Sequence, residues 1–125
     1  MIETKQLGSL EYLVCQGIPV PHCFTTRLGG ISSGYLSSLN IGTSRGDDPN
    51  NVIENYRRLG DALGFDIHNL VLSRQTHSDI VYTATEKDRG AGLFAPHLEE
   101  CDGLITAVPG LALVVFTADC TPLPV

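Results

Sequence analysis

Two residues of metal-ligating type stand where strand-like runs meet polar turns: His77, in Ser73-Arg74-Gln75-Thr76-His77-Ser78-Asp79, and Cys120, in Thr117-Ala118-Asp119-Cys120-Thr121-Pro122. An imidazole and a thiolate delivered by two separate strands are two of the three protein ligands of an open zinc site. Three side chains leave a coordination position for water or substrate, whereas a four-ligand structural site does not. A third ligand is not evident along the chain. Read alone, His77 is first a turn histidine bonded to a neighbour, and Cys120 first a buried core thiol. Asp119, directly before Cys120 at the end of an apolar run, is open to three roles: general acid or base, a partner that orients a ligand, or a turn-capping carboxylate.

A second group of polar residues surrounds a glycine-rich loop, Arg27-Leu28-Gly29-Gly30-Ile31-Ser32-Ser33-Gly34, long enough to be a binding loop or a flap. Arg27 suits phosphate, because a guanidinium meets phosphate oxygens as a fork and keeps its charge. Gly29 and Gly30 beside it let backbone amides approach an anion closely. An ordinary loop arginine is the competing reading. Asn40 has the donor and acceptor to meet a purine or ribose edge, but Asn40-Ile41-Gly42 is also good turn chemistry. Gln75 either points into a pocket or pairs with backbone. His22, His68 and His97 stand in no motif that joins them to His77 or Cys120, and read as surface or strand-end residues.

These groups need elements to hold them. The clearest is a helix over Pro49–Leu63, where Val52, Ile53, Tyr56, Leu59, Ala62 and Leu63 form one apolar stripe, expected to pack on a sheet. Asp48 is its N-cap, Pro49 its first residue and Gly64 its stop. Strands are expected at Tyr12–Cys15, His22–Thr26, Leu70–Arg74 and Ile80–Ala84, the last two flanking the His77 turn. Two more, Gly103–Val108 and Leu111–Thr117, are joined through Pro109-Gly110 as a hairpin or tight connection. The second is apolar on nearly every residue, as in a strand buried on both faces. Asp119 and Cys120 then fall at its carboxyl end, where α/β sheets place ligands and chemistry. The fold class is therefore α/β: a mixed β-sheet packed with helices, expected to be incomplete at the carboxyl end because the chain stops soon after that strand.

Composition narrows the function classes. At 125 residues with 42% hydrophobic and 18% charged residues and 13 glycines, the chain has the size and make-up of one glycine-rich globular domain. A net charge of −6, from 8 Lys plus Arg against 14 Asp plus Glu, argues against a nucleic-acid surface. The run Leu111–Phe116 is far short of the ~20 residues that span a bilayer, and Met1–Leu10 lacks the apolar core of a secretory signal. Cytoplasmic residence is the expectation, with Cys15, Cys23, Cys101 and Cys120 reduced.

Five motifs in order carry a resemblance: Phe24-Thr25-Thr26-Arg27 through Gly34, Ser38-Leu39-Asn40-Ile41-Gly42, Gln75-Thr76-His77, Cys101-Asp102-Gly103-Leu104-Ile105-Thr106, and Thr117-Ala118-Asp119-Cys120-Thr121-Pro122. Together they resemble the YfiH/laccase-domain family, once described as polyphenol oxidases, over almost the whole chain. The resemblance implies that residues 1–125 are the amino-terminal part of a single laccase-like domain. It also implies a zinc pocket built from a His, a Cys and a second His. By position the first two are His77 and Cys120, with Arg27 and Asn40 near the pocket; the second His belongs to a His-Ala-Gly-Trp-Arg-like motif downstream of residue 125. Thr76 and Ser78 depart from the Val and Gly common around this His, and Leu123-Pro124-Val125 departs from the usual apolar continuation.

The activity implied is phosphorolysis of purine nucleosides to free base and ribose 1-phosphate, with deamination of adenosine at the same metal. Purine nucleoside and phosphate are then the partners, and the resemblance carries no reading of oligomeric state. Copper is the lesser alternative to zinc, since a multicopper phenol oxidase needs clustered histidines. A hydrolase that edits peptidoglycan precursors and a non-catalytic binding fragment are the remaining alternatives.

Overall fold

The computed structural model describes residues 1–116, so the expectations for Asp119, Cys120 and the Thr121–Val125 end lie outside the described residues. The chain divides into two compact units, Met1–Gly64 and the residues from Phe65 onward. The fold is α/β, with antiparallel pairing and the helix in the first unit and parallel pairing in the second.

In the first unit, β1 (Ile2–Leu7), β2 (Leu10–Cys15) and β3 (Phe24–Thr25) form an antiparallel sheet in that order. Gly8 and Ser9 close the β1–β2 hairpin between paired Leu7 and Leu10, and Gly8 takes the left-handed φ of 63° that a two-residue hairpin turn requires. β1 was not anticipated: its outward-facing polar residues give an edge strand little hydrophobic signal.

Helix α1 spans Pro49–Leu63, as its end signals predict. The Asp48 carboxylate accepts from the Asn50 amide, Pro49 occupies the first turn, and Gly64 ends the helix at φ 83°. Its buried face carries Val52, Asn55, Tyr56 and Leu59. The polar groups of the helix send hydrogen bonds to the loop between β3 and α1. Tyr56 Oη donates to the Ile41 carbonyl at 2.6 Å, and Arg58 donates to the Gly29 carbonyl at 3.0 Å. Asn55, wholly buried, accepts from the Ile31 amide at 2.9 Å and donates to Ser32 Oγ at 3.0 Å and the Asn40 carbonyl at 2.7 Å.

In the second unit, β4 (Leu70–Leu72) pairs in parallel with β7 (Ala112–Val114), and β5 (Val81–Ala84) pairs in parallel with β6 (Gly103–Thr106). Of the hairpin and the tight connection expected across Pro109-Gly110, the structure has the tight connection. The turn is local, but the ladder partners of β6 and β7 are β5 and β4, which come earlier in the chain. The expectation of a strand buried on both faces is corrected. Leu113 is 37% and Val115 53% exposed, with β4 the ladder partner of β7 among the described residues. Val71, Ala84, Ala91, Leu98 and Cys101 make the core of this unit, with Tyr82, Leu104 and Leu111 packed against it. Among the described residues no helix is long and apolar enough to cross a membrane.

Candidate functional site

His77 lies in the turn between β4 and β5, exposed, at a main-chain φ of 62°. Among the described residues it alone takes a positive φ without being glycine. The left-handed region costs an L-residue roughly 1–2 kcal/mol, and such outliers cluster where surrounding contacts over-determine them. Those contacts come from Asp102, just before β6. One carboxylate oxygen accepts from the Thr76 amide at 3.0 Å, the Ser78 amide at 2.9 Å and Ser78 Oγ at 2.8 Å; the other accepts from the His77 amide at 3.1 Å. These donors, led by the Thr76 amide, hold the Asp102 carboxyl down at about 2.

The main chain around Asp102 closes the same turn from both ends. The Cys101 amide donates to the Arg74 carbonyl at 2.9 Å, and the Asp102 and Gly103 amides donate to the Ile80 carbonyl at 3.0 and 3.2 Å. Residues 75–79 are thus bracketed by main-chain bonds and plugged in the middle by one side chain. Asp102 stands in a quoted motif, yet sequence reasoning assigned it no role. An aspartate before a glycine is ordinary turn chemistry, and nothing local tells which distant amides it accepts.

Gln75 is a clasp. Its Nε2 donates to the Phe116 carbonyl at 2.7 Å, and its Oε1 accepts from the Phe116 amide at 2.5 Å and from Ser73 Oγ at 2.8 Å. Both polar atoms of the amide are therefore engaged, tying the His77 turn to the chain just beyond β7. Parallel β4 and β7 run in the same direction, so their carboxyl ends lie side by side. The turn bearing His77 follows one, and the segment bearing Asp119 and Cys120 follows the other in sequence.

In the first unit, Arg27 is exposed, and among the described residues its guanidinium makes no hydrogen bond or ion pair. Its backbone is fixed: the Arg27 carbonyl accepts from the Ser38 and Leu39 amides at 2.8 and 2.9 Å and from Ser38 Oγ at 3.0 Å. The loop that follows is sewn to α1 through Asn55 and to Asp47 through Ser32 Oγ at 2.5 Å, which is anchorage a flap lacks. Asn40 belongs to the same network. Its Nδ2 donates to the Gly42 carbonyl and to Asp47, both at 3.2 Å, and its Oδ1 accepts from the Gly42 amide at 3.1 Å. Ser32, ahead of Asn40 and Asn51, holds the Asp47 carboxyl below its ordinary value.

Of the residues the resemblance implies for zinc, His77 lies among the described residues and Cys120 does not. Among the described residues no hydrogen bond engages the exposed His77 imidazole, and no three His, Cys, Asp or Glu side chains cluster as a metal cage. An exposed imidazole nitrogen without a protein partner is a donor that zinc accepts. Two other histidines are occupied locally. The Cys15 amide donates to His22 Nε2 at 2.8 Å while His22 Nδ1 meets the Val20 carbonyl at 2.8 Å; His68 pairs with Asp66 at 2.9 Å and stacks on Phe94 at 4.5 Å.

Residues 21–125 match the family model described as multi-copper polyphenol oxidoreductase laccase. A protein from Deinococcus radiodurans named purine nucleoside phosphorylase is 42% identical over 114 residues, which are 91% of this chain and 41% of that protein. One of the same name from Corynebacterium glutamicum is 40% identical over 83% of this chain and 41% of its own length. The crystal structure of YlmD from Geobacillus stearothermophilus superposes with a TM-score of 0.80 at 36% identity, covering 94% of this chain and 45% of that one. YfiH from Bacillus licheniformis gives 0.74 at 39% identity over 78% of this chain and 38% of its own. The chain thus spans about two-fifths of the length of these curated relatives. With its match running from residue 21 to residue 125, the chain belongs to the YfiH-like laccase-domain family.

Proposed function

We propose that this chain is part of a purine nucleoside phosphorylase that uses zinc and also deaminates adenosine. The observation that carries the reading is that relatives 40–42% identical over 83–91% of the chain bear the name purine nucleoside phosphorylase. In phosphorolysis an oxygen of inorganic phosphate bonds to C1′ of the nucleoside as the C1′–N9 bond breaks. The bonding pair leaves with the purine, which takes up a proton, and ribose 1-phosphate remains. The reaction requires a cation to orient phosphate.

Arg27 is the residue we assign to that task, because its guanidinium is exposed while its backbone is held by three hydrogen bonds. His77 and Cys120 are the residues we assign to zinc, and Asp119 to proton transfer. Zinc, when bound, supplies Lewis acidity that makes water nucleophilic near neutral pH, which suits displacement of the amino group of adenosine as ammonia. Gln75 and Asn40 each hold main chain within their own unit, since their amides are engaged in the bonds described above.

The test is turnover of adenosine and inosine by the full-length, zinc-quantified protein, with and without phosphate. Phosphate-dependent release of free base supports the reading. Phenol oxidation with added copper, or cleavage of peptidoglycan precursors, with no nucleoside turnover replaces it. Arg27→Ala is expected to raise the KM for phosphate roughly 10- to 100-fold, the equivalent of about 1.5–3 kcal/mol for a charge-assisted hydrogen bond. An unchanged phosphate KM removes Arg27 from the site.

A further inference from the structure

We propose that Asp102 is a positioning residue for His77, its carboxylate gripping the main chain of residues 76–78 so that the Cα–Cβ bond of His77 is presented in one direction. The proposal deepens the reading above and rests on it in taking His77 as a zinc ligand. Three consecutive amides and one hydroxyl converge on a single side chain. Without the carboxylate, those amides point at nothing else among the described residues, and His77 has no reason to keep a left-handed backbone.

The grip differs from the familiar arrangement in which a carboxylate bonds the far nitrogen of a metal-binding imidazole. Here the carboxylate acts one step further back, on the peptide units that set the direction of the Cα–Cβ bond. Its own position is fixed independently, by the Cys101, Asp102 and Gly103 amides on the Arg74 and Ile80 carbonyls. Rotation of the turn therefore requires breaking bonds to both the side chain and the main chain of one segment.

The experiment uses the full-length protein and the Asp102→Asn variant, which keeps the side-chain size but sets an NH2 group among N–H donors. Two readouts are taken: hydrogen exchange of the Thr76, His77 and Ser78 amides, and zinc affinity by chelator competition alongside the visible spectrum of the cobalt-substituted protein. Faster exchange at those amides, together with zinc affinity reduced roughly 10- to 100-fold and an altered cobalt spectrum, is the expected result. Faster exchange with wild-type affinity and spectrum overturns the positioning role, and unchanged exchange overturns the grip itself. Should Asp102→Asn fail to fold, Ser78→Ala removes one of the four bonds; it is expected to lower zinc affinity in the same direction and by less, and wild-type affinity overturns the proposal.

His77→Ala separates the two readings. Undiminished zinc affinity in that variant overturns His77 as a ligand, and with it the use we assign to the grip; amide exchange in Asp102→Asn still decides whether the grip exists.

Discussion

Asn55→Ala is expected to lower the free energy of unfolding by about 2–4 kcal/mol, measured by urea denaturation. The side chain is wholly buried and is the common partner of Ile31, Ser32 and Asn40. Truncation strands the Ile31 amide and the Asn40 carbonyl away from their partner, and each such group costs roughly 1–3 kcal/mol. Asn55→Asp tests whether polarity or volume is responsible. It keeps the size but turns a carboxylate oxygen on the Asn40 carbonyl, so a comparable loss identifies hydrogen bonding. A loss in Asn55→Ala below about 0.5 kcal/mol, the range of ordinary surface substitutions, contradicts the assignment. Gly30→Ala attacks the same junction from the loop side. A Cβ there would lie well inside contact distance of the Ser38 carbonyl oxygen, Leu39 Cα and Asn55 Oδ1, two of them backbone atoms, so the loop itself must move.

His77→Gly is expected to take zinc content and nucleoside turnover to background while leaving the stability of the zinc-free protein unchanged or raising it by up to about 1 kcal/mol. The loss of function follows from the proposed ligand role. The gain follows from the φ of 62°, which glycine adopts without the steric penalty that histidine bears, offset by the greater entropy of glycine in the unfolded chain. Metal analysis, the phosphorolysis assay and thermal melting on one preparation settle the matter. Wild-type zinc and turnover in His77→Gly refute the site. A large fall in the melting temperature of the zinc-free protein instead identifies His77 as a structural residue, because bound zinc by itself raises the melting temperature of the loaded wild type.

The helix was legible because its signals are local: Asp48, Pro49 and Gly64 act within a turn of the positions they mark, and Val52, Tyr56 and Leu59 recur on one face. The choice between a hairpin and a tight connection over Pro109-Gly110 stayed open in the sequence for the complementary reason. The turn residues speak only for the turn, while β6 and β7 choose partners earlier in the chain, which no short window contains. β1 escaped notice because its pattern is mostly exposed and polar, although Gly8-Ser9 carried a usable hairpin signal.

The site divides along the same line. The exposed settings of His77 and Arg27, at a turn and on a loop, follow from nearby turn and glycine signals. The engagements of Gln75 with Phe116 and of Asp102 with Thr76, His77 and Ser78 join distant segments, so residue type could suggest polar work but not its object.

The Asp102 grip divides the His77 turn into positions that are free to drift and positions that are not. A carboxylate that reads main-chain N–H groups is indifferent to the side chain of Thr76, whereas at Ser78 it also takes the hydroxyl. Thr76 therefore serves as well as valine would, and Ser78 adds a hydroxyl that glycine would lack. What the turn cannot admit is proline at 76, 77 or 78, since each substitution deletes one of the amides being held. What Asp102 holds is a row of three donors that no side chain of the turn spells out.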